Sequence, residues 1–243
     1  MMWVYCASRE NRLIRAWLSP VRPTLRSTRP YRLVFPKSAP RRFVREVKPV
    51  VIEAIASAQR ILPLESSVRL RVTPDTREAV STYMQGSTGW TRDSQHVYVG
   101  VNTQTKGWRR SLKRTVAHEL NHTVRDKRTA KRKGKMTMLD TIAFEGLAQC
   151  FEKEVSGELP PYAAALSVQQ TRRIWSMIKH DLDSRDEALY RRIFFARDDK
   201  DVPTWAGYRL SYMIVSRRMK RLELGWDALM GLSSEEIVGR RLG

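Results

Sequence analysis

The sequence predicts an α+β fold, a small twisted sheet followed by a mostly helical C-terminal part. Two period-two alternations, Val68/Leu70/Val72 and Val97/Val99/Val101, mark strands in the first half. From Leu112 onward apolar residues recur at helical spacing, segment after segment. With 243 residues, 42% of them hydrophobic, the chain is long enough to bury one substantial core.

The elements follow in chain order. Residues 1–45 read as a basic arm rich in Pro and Arg, with prolines at 20, 23, 30, 36 and 40 and no sustained period. A single domain, 46–243, is expected after it. Pro49 sits where a helix can start, and Val51, Ile55, Ala58 and Ile61 or Leu62 form one stripe ended by Pro63, so a helix is expected over about 47–62. Val68, Leu70 and Val72 alternate with Arg69 and Arg71 as a half-exposed strand, closed by a turn at Thr73-Pro-Asp75. A short helix from Asp75 to Tyr83 and a loop over 85–89 follow, then a second strand over about 96–101. The aromatic and Met positions farther on, such as Trp175, Met177, Phe194, Phe195 and Met213, read as core. Helices are expected over 163–179, 187–196 and 204–222, and Ser233 with Glu236 forms a capping box for a short last helix.

Charge is the compositional outlier. Lys and Arg number 45 against 25 Asp and Glu, a net +20. Residues 1–48 hold twelve of the bases and only Glu10 and Glu46, and a second cluster runs from Lys106 to Lys135. Such a balance favours contact with polyanions or acidic partners, which the arm would make. The run Lys127–Lys135 reads as a solvated loop. The longest apolar run, Met1–Ala7, is far short of the ~20 residues a membrane span needs, so no transmembrane segment is expected. Cys6 and Cys150 are the only cysteines, which favours a reducing compartment and hence the cytoplasm, and Cys150 reads as a small buried side chain. Arg-rich, acid-poor composition also overlaps that of organelle transit peptides, the alternative for a eukaryotic source.

The strongest chemical signal is HExxH, present as His118, Glu119 and His122. Residues four apart share a helix face, so the two imidazoles can reach one metal ion, and Glu119 lies beside it as a base rather than a ligand. Leu112, Val116 and Leu120 supply the buried face of that helix. Catalytic zinc usually takes three protein ligands and keeps one position open. A His-Gly-His continuation is excluded, because positions 125 and 128 are both Arg. Glu145 is the better third ligand: it stands in the apolar segment 139–152, which reads as a second buried helix, and burying an unpaired carboxylate is costly. An ion pair with Arg125 or another base is the alternative reading of Glu145.

His118-Glu-Leu-Asn-His122 followed by Phe144-Glu-Gly-Leu-Ala148 resembles the predicted Zn-dependent proteases known as domain of unknown function 2268, of gluzincin type within the zincins. The resemblance runs from about Val47 to Leu229 and takes in Trp205-Ala-Gly-Tyr-Arg-Leu-Ser-Tyr212, where Ser211 stands in place of a second Gly. It implies a zincin-like metalloprotease fold, Zn²⁺, a peptide or protein substrate, and an edge strand along the cleft, which would be His96–Val101 with Gly100 letting a substrate backbone approach closely; a core strand with a tolerated Gly is the alternative reading of that stretch. A donor to the reaction's oxyanion is also implied, with Tyr208 and Tyr212 ahead of His180. Two functions follow: a zinc-dependent peptidase with Glu119 as general base, or a binding protein on the same scaffold that contacts nucleic acid or an acidic partner. An intact Glu119 favours the enzyme.

Overall fold

A computed structural model describes residues 30–129, 136–163, 166–196 and 199–239. Most of the basic arm and the end of the second basic cluster, residues 130–135, thus lie outside the described residues. Strand β1 (Tyr31–Val34) is followed by helix α1 (Arg41–Ile61), β2 (Val68–Pro74), the short α2 (Glu78–Thr82), β3 (Ser87–Asp93) and β4 (His96–Val101). Helices α3 (Trp108–Thr129), α4 (Met138–Ser156), α5 (Val168–Ile178), α6 (Glu187–Phe195), α7 (Ala206–Leu222), α8 (Trp226–Gly231) and α9 (Ser234–Val238) complete the α+β chain. Two compact units divide it, the boundary falling within α3 after Thr123, with residues 60–62 grouped with the second unit.

In the first unit the strands form one mixed sheet of order β1-β2-β4-β3. β1 runs parallel to β2 and β2 to β4, with Leu33 opposite Leu70 and Val72 opposite Val99. β3 runs antiparallel to β4, Gly89 opposite Val99 and Thr91 opposite Val97, with an irregularity between Thr91 and Asp93. Val68, Leu70, Val72, Val97, Val99 and Val101 are all buried. So are Val47, Val51, Ala54, Ile55 and Ala58 along α1.

Three expectations need correction. The expected edge strand, His96–Val101, is interior, because β2 and β3 flank it; the edges are β1 and β3, and β3 begins inside the stretch 85–89 that reads as a loop. Gln85 and Gly86 both take positive φ, 55° and 99°, so the loop signals are real but end one residue before the strand begins. The close approach allowed by Gly100 serves Asp75, whose Oδ2 would lie 2.5 Å from a Cβ there, and not a substrate backbone. Third, α1 begins at Arg41, inside the stretch expected as arm, and carries Pro49 in its interior. An interior proline costs about 3 kcal/mol relative to alanine. Burial of Phe43, Val47, Val50 and Val51 around it offsets that cost. β1 likewise lies within the expected arm and pairs with β2 through four residues.

In the second unit α4 packs along α7, and α9 lies against both. Thr137 and Asp140 form a reciprocal capping box at the start of α4, and Gly157 at φ 74° ends it. Ser234 Oγ donates to Asp140 Oδ1 at 2.6 Å, tying α9 to that cap. The capping box foreseen at Ser233 and Glu236 is present. Among the described residues no helix is long and apolar enough to cross a membrane.

Gly146 is where α4 and α7 meet most tightly. A Cβ there would lie 2.6 Å from the Ser211 carbonyl oxygen and 2.8 Å from Val215 Cβ. Gly146→Ala is therefore expected to destabilise the protein. Helix propensity favours alanine by about 1 kcal/mol, but overpacking costs ~1–3 kcal/mol, and a backbone carbonyl cannot swing aside. A lower urea midpoint checks this, and an unchanged one would show that α4 and α7 can separate freely.

Candidate metal centre

α3 carries its functional groups on two adjoining faces. Leu112, Val116, Ala117 and Leu120 are buried apolar positions. Beside them Ser111, Thr115 and Glu119, four residues apart, form a polar stripe turned to β3. Ser87 Oγ lies 2.8 Å from both Ser111 Oγ and Thr115 Oγ1. Thr91 Oγ1 lies 2.7 Å from Glu119 Oε2 and 3.0 Å from the Glu119 carbonyl oxygen.

One residue round from Glu119, His118 and His122 meet edge to face from successive turns, ring centroids 4.6 Å apart and planes at 87°. Both are about 3% exposed. Burial above all, with the neighbouring His118, holds His122 well below the ordinary imidazole value. A neutral ring keeps a lone pair for a metal.

The predicted third ligand joins them. Ligand atoms of His118, His122 and Glu145 all lie within 4.8 Å of one another, and all three residues are buried. Two imidazole nitrogens and one carboxylate oxygen are a donor set that suits zinc. The Arg125 guanidinium, the base named as the alternative partner of Glu145, donates through Nη1 to the carbonyls of Met230 at 2.9 Å and Leu232 at 2.5 Å. α4 buries a second carboxylate two turns on, Glu152, which accepts from Tyr162 Oη at 2.5 Å. One buried carboxylate on the helix thus serves the packing and the other joins two histidines.

The aromatic candidates separate. Tyr208 is buried among Tyr162, Phe194, Phe195 and Trp205. The Tyr212 hydroxyl accepts from Lys153 Nζ at 3.1 Å in an exposed contact. His180 is exposed, one residue beyond the cap of α5. A phenol with no distinguishing sequence signature, Tyr190 on α6, has its hydroxyl buried with no hydrogen-bonding partner among the described residues. Burial pushes that phenol well up, and the charge of Glu145 adds to the rise, which puts Tyr190 within the field of a candidate ligand. Cys150 plays no such part: burial raises its thiol to about 12, as expected of a small core side chain.

Gly89 and Thr91 also went unseen in the sequence. Ser87, Gly89 and Thr91 are the inward, buried face of β3, alternating with the less buried Thr88, Trp90 and Arg92. Trp90 stacks on Tyr98 of the neighbouring strand at 5.0 Å. That alternation was the available signal, obscured by two glycines in four residues.

Comparison with curated proteins and with solved structures finds no match. Residues 50–239, a span that takes in both histidines, Glu119, Glu145 and the helices beyond, match the model of the family described as Predicted Zn-dependent protease (DUF2268), and the chain belongs to that family.

Proposed function

We propose that the protein is a zinc-dependent peptidase of gluzincin type on a zincin-like fold. The grouping of His118, His122 and Glu145, with Glu119 one residue from the first histidine, carries this reading. The three ligands would hold Zn²⁺, which when bound polarises a scissile carbonyl and makes water a nucleophile near neutral pH. Glu119 takes the proton from the attacking water and delivers it to the leaving amine, as a general base that becomes a general acid. A site with only a structural metal has no use for such a carboxylate.

β3 is the strand that suits a peptide substrate, since it is the sheet edge next to α3. Its outward backbone groups can pair with an extended chain whatever the sequence, and side-chain pockets then select. A donor is also wanted where the tetrahedral oxyanion forms. Tyr190 is favoured for this by its buried hydroxyl and its coupling to Glu145. Tyr208 and Tyr212, the choices implied by the family resemblance, are the other candidates.

Purified protein should contain one zinc ion per chain and cleave members of a random peptide library. Cleavage should stop with a zinc chelator and return when zinc is added back. Protein purified without zinc that does not take it up, or cleavage that persists in chelator, would overturn the reading.

A further inference from the structure

We propose that edge strand β3 positions the carboxylate of Glu119: the Thr91 hydroxyl holds it by hydrogen bonding to Oε2, and Gly89 leaves the space that Oε1 occupies. The assignment rests on Glu119 being the proton carrier of the reaction proposed above.

Three observations meet at one side chain. Thr91 Oγ1 is 2.7 Å from Glu119 Oε2 in a buried contact, so a carboxylate there accepts a short, charge-assisted hydrogen bond. Gly89, two residues back on the same strand face, faces the same group. A Cβ at position 89 would lie 2.5 Å from Glu119 Cγ and 2.7 Å from Cδ, and closer still to Oε1. Real Cβ atoms essentially never make contacts that short. Glycine inside a strand weakens it and marks a place where another group approaches closely, and the approaching group is this carboxylate. The third observation is register. Ser87 meets Ser111 and Thr115 one and two turns earlier along the same stripe of α3, which fixes the strand along the helix.

The arrangement matters because a glutamate side chain has three rotatable bonds, whereas proton transfer needs its carboxylate within hydrogen-bond reach of the reacting atoms. One hydroxyl fixes the end of the chain and the glycine seat keeps one rotamer open. Thr91 acts through Glu119, so it is a positioning residue and not a catalytic one. Because β3 is also the edge available to a peptide backbone, docking a substrate and placing the base depend on one strand.

The test uses the full chain loaded with zinc, in Thr91→Val, Thr91→Ser and Gly89→Ala variants. Thr91→Val keeps the shape and removes the hydroxyl. Its kcat on a peptide that the parent cleaves should fall by about tenfold to a hundredfold, the order expected when a reacting group is misplaced by an ångström. KM and zinc content should stay the same, and Thr91→Ser should recover most of the loss. In a Glu119→Gln background, Thr91→Val should cost nothing further. Gly89→Ala should retain zinc, since the clash is with the flexible end of a side chain, and a crystal structure should show the Glu119 carboxylate displaced. Unchanged kcat in Thr91→Val, an equal loss in Thr91→Ser, or a loss confined to KM or zinc content would overturn the proposal. If the parent shows no zinc-dependent cleavage, the proposed function fails. The crystal structures still decide the positioning, because a Glu119 carboxylate unmoved in both Thr91→Val and Gly89→Ala would overturn it.

Discussion

Replacing His118 and His122 together by alanine is expected to reduce bound zinc from one equivalent to background. Glu145 alone would then remain, and one carboxylate holds zinc far too weakly to survive purification. Each single variant should lose most of the metal as well, because catalytic sites rely on three protein ligands. Glu145→Gln separates the two readings of that residue. As a ligand it should lower zinc affinity, whereas a glutamate that only packs the interior would leave zinc content untouched. The histidines are buried, so the double variant also opens space in α3 and should unfold at lower urea, by about 2–4 kcal/mol on the scale of large-to-small core changes. Metal analysis of the folded fraction keeps the two effects apart. Full zinc occupancy in a folded double variant would remove the assignment altogether.

The residues that cluster were legible in the sequence for a local reason. His118 and His122 are four apart on a helix whose apolar residues repeat at the same period, so their shared face follows from geometry. Glu145 was legible because a charge in an apolar helix calls for a partner. What the sequence hid depends on tertiary neighbours. β3 carries Gly89 and follows two positive-φ positions, Gln85 and Gly86, which locally signal a loop; its strand character comes from pairing with β4 on one side and from seating Ser87 and Thr91 on α3. Where 85–89 reads as a loop, the strand pattern has no neighbour on that side of β4, and β4 reads as the edge. Pro49 reads locally as a start signal, although burial on both sides of it carries the helix through. Tyr190 has no sequence signature that distinguishes it from the other tyrosines, because its nearness to Glu145 is made by the packing of α6 in the second unit.

Glu119→Gln is expected to retain fold and zinc while losing hydrolysis. Glutamine has nearly the same shape, and its carbonyl oxygen can still accept from Thr91, so the hydrogen bond at 2.7 Å need not be lost. The amide also fits beside Gly89, where glutamate fits now. What it lacks is a site of useful basicity, and removing a general base typically costs about 10²–10⁴-fold. That corresponds to roughly 3–5 kcal/mol on the barrier. The loss should appear in kcat with KM little changed, since Glu119 meets the reacting proton and not the body of the substrate. Turnover equal to that of the parent, with zinc still bound, would assign the proton transfer to another group. A variant that loses zinc as well would point to a carboxylate that supports the ligand helix rather than the chemistry.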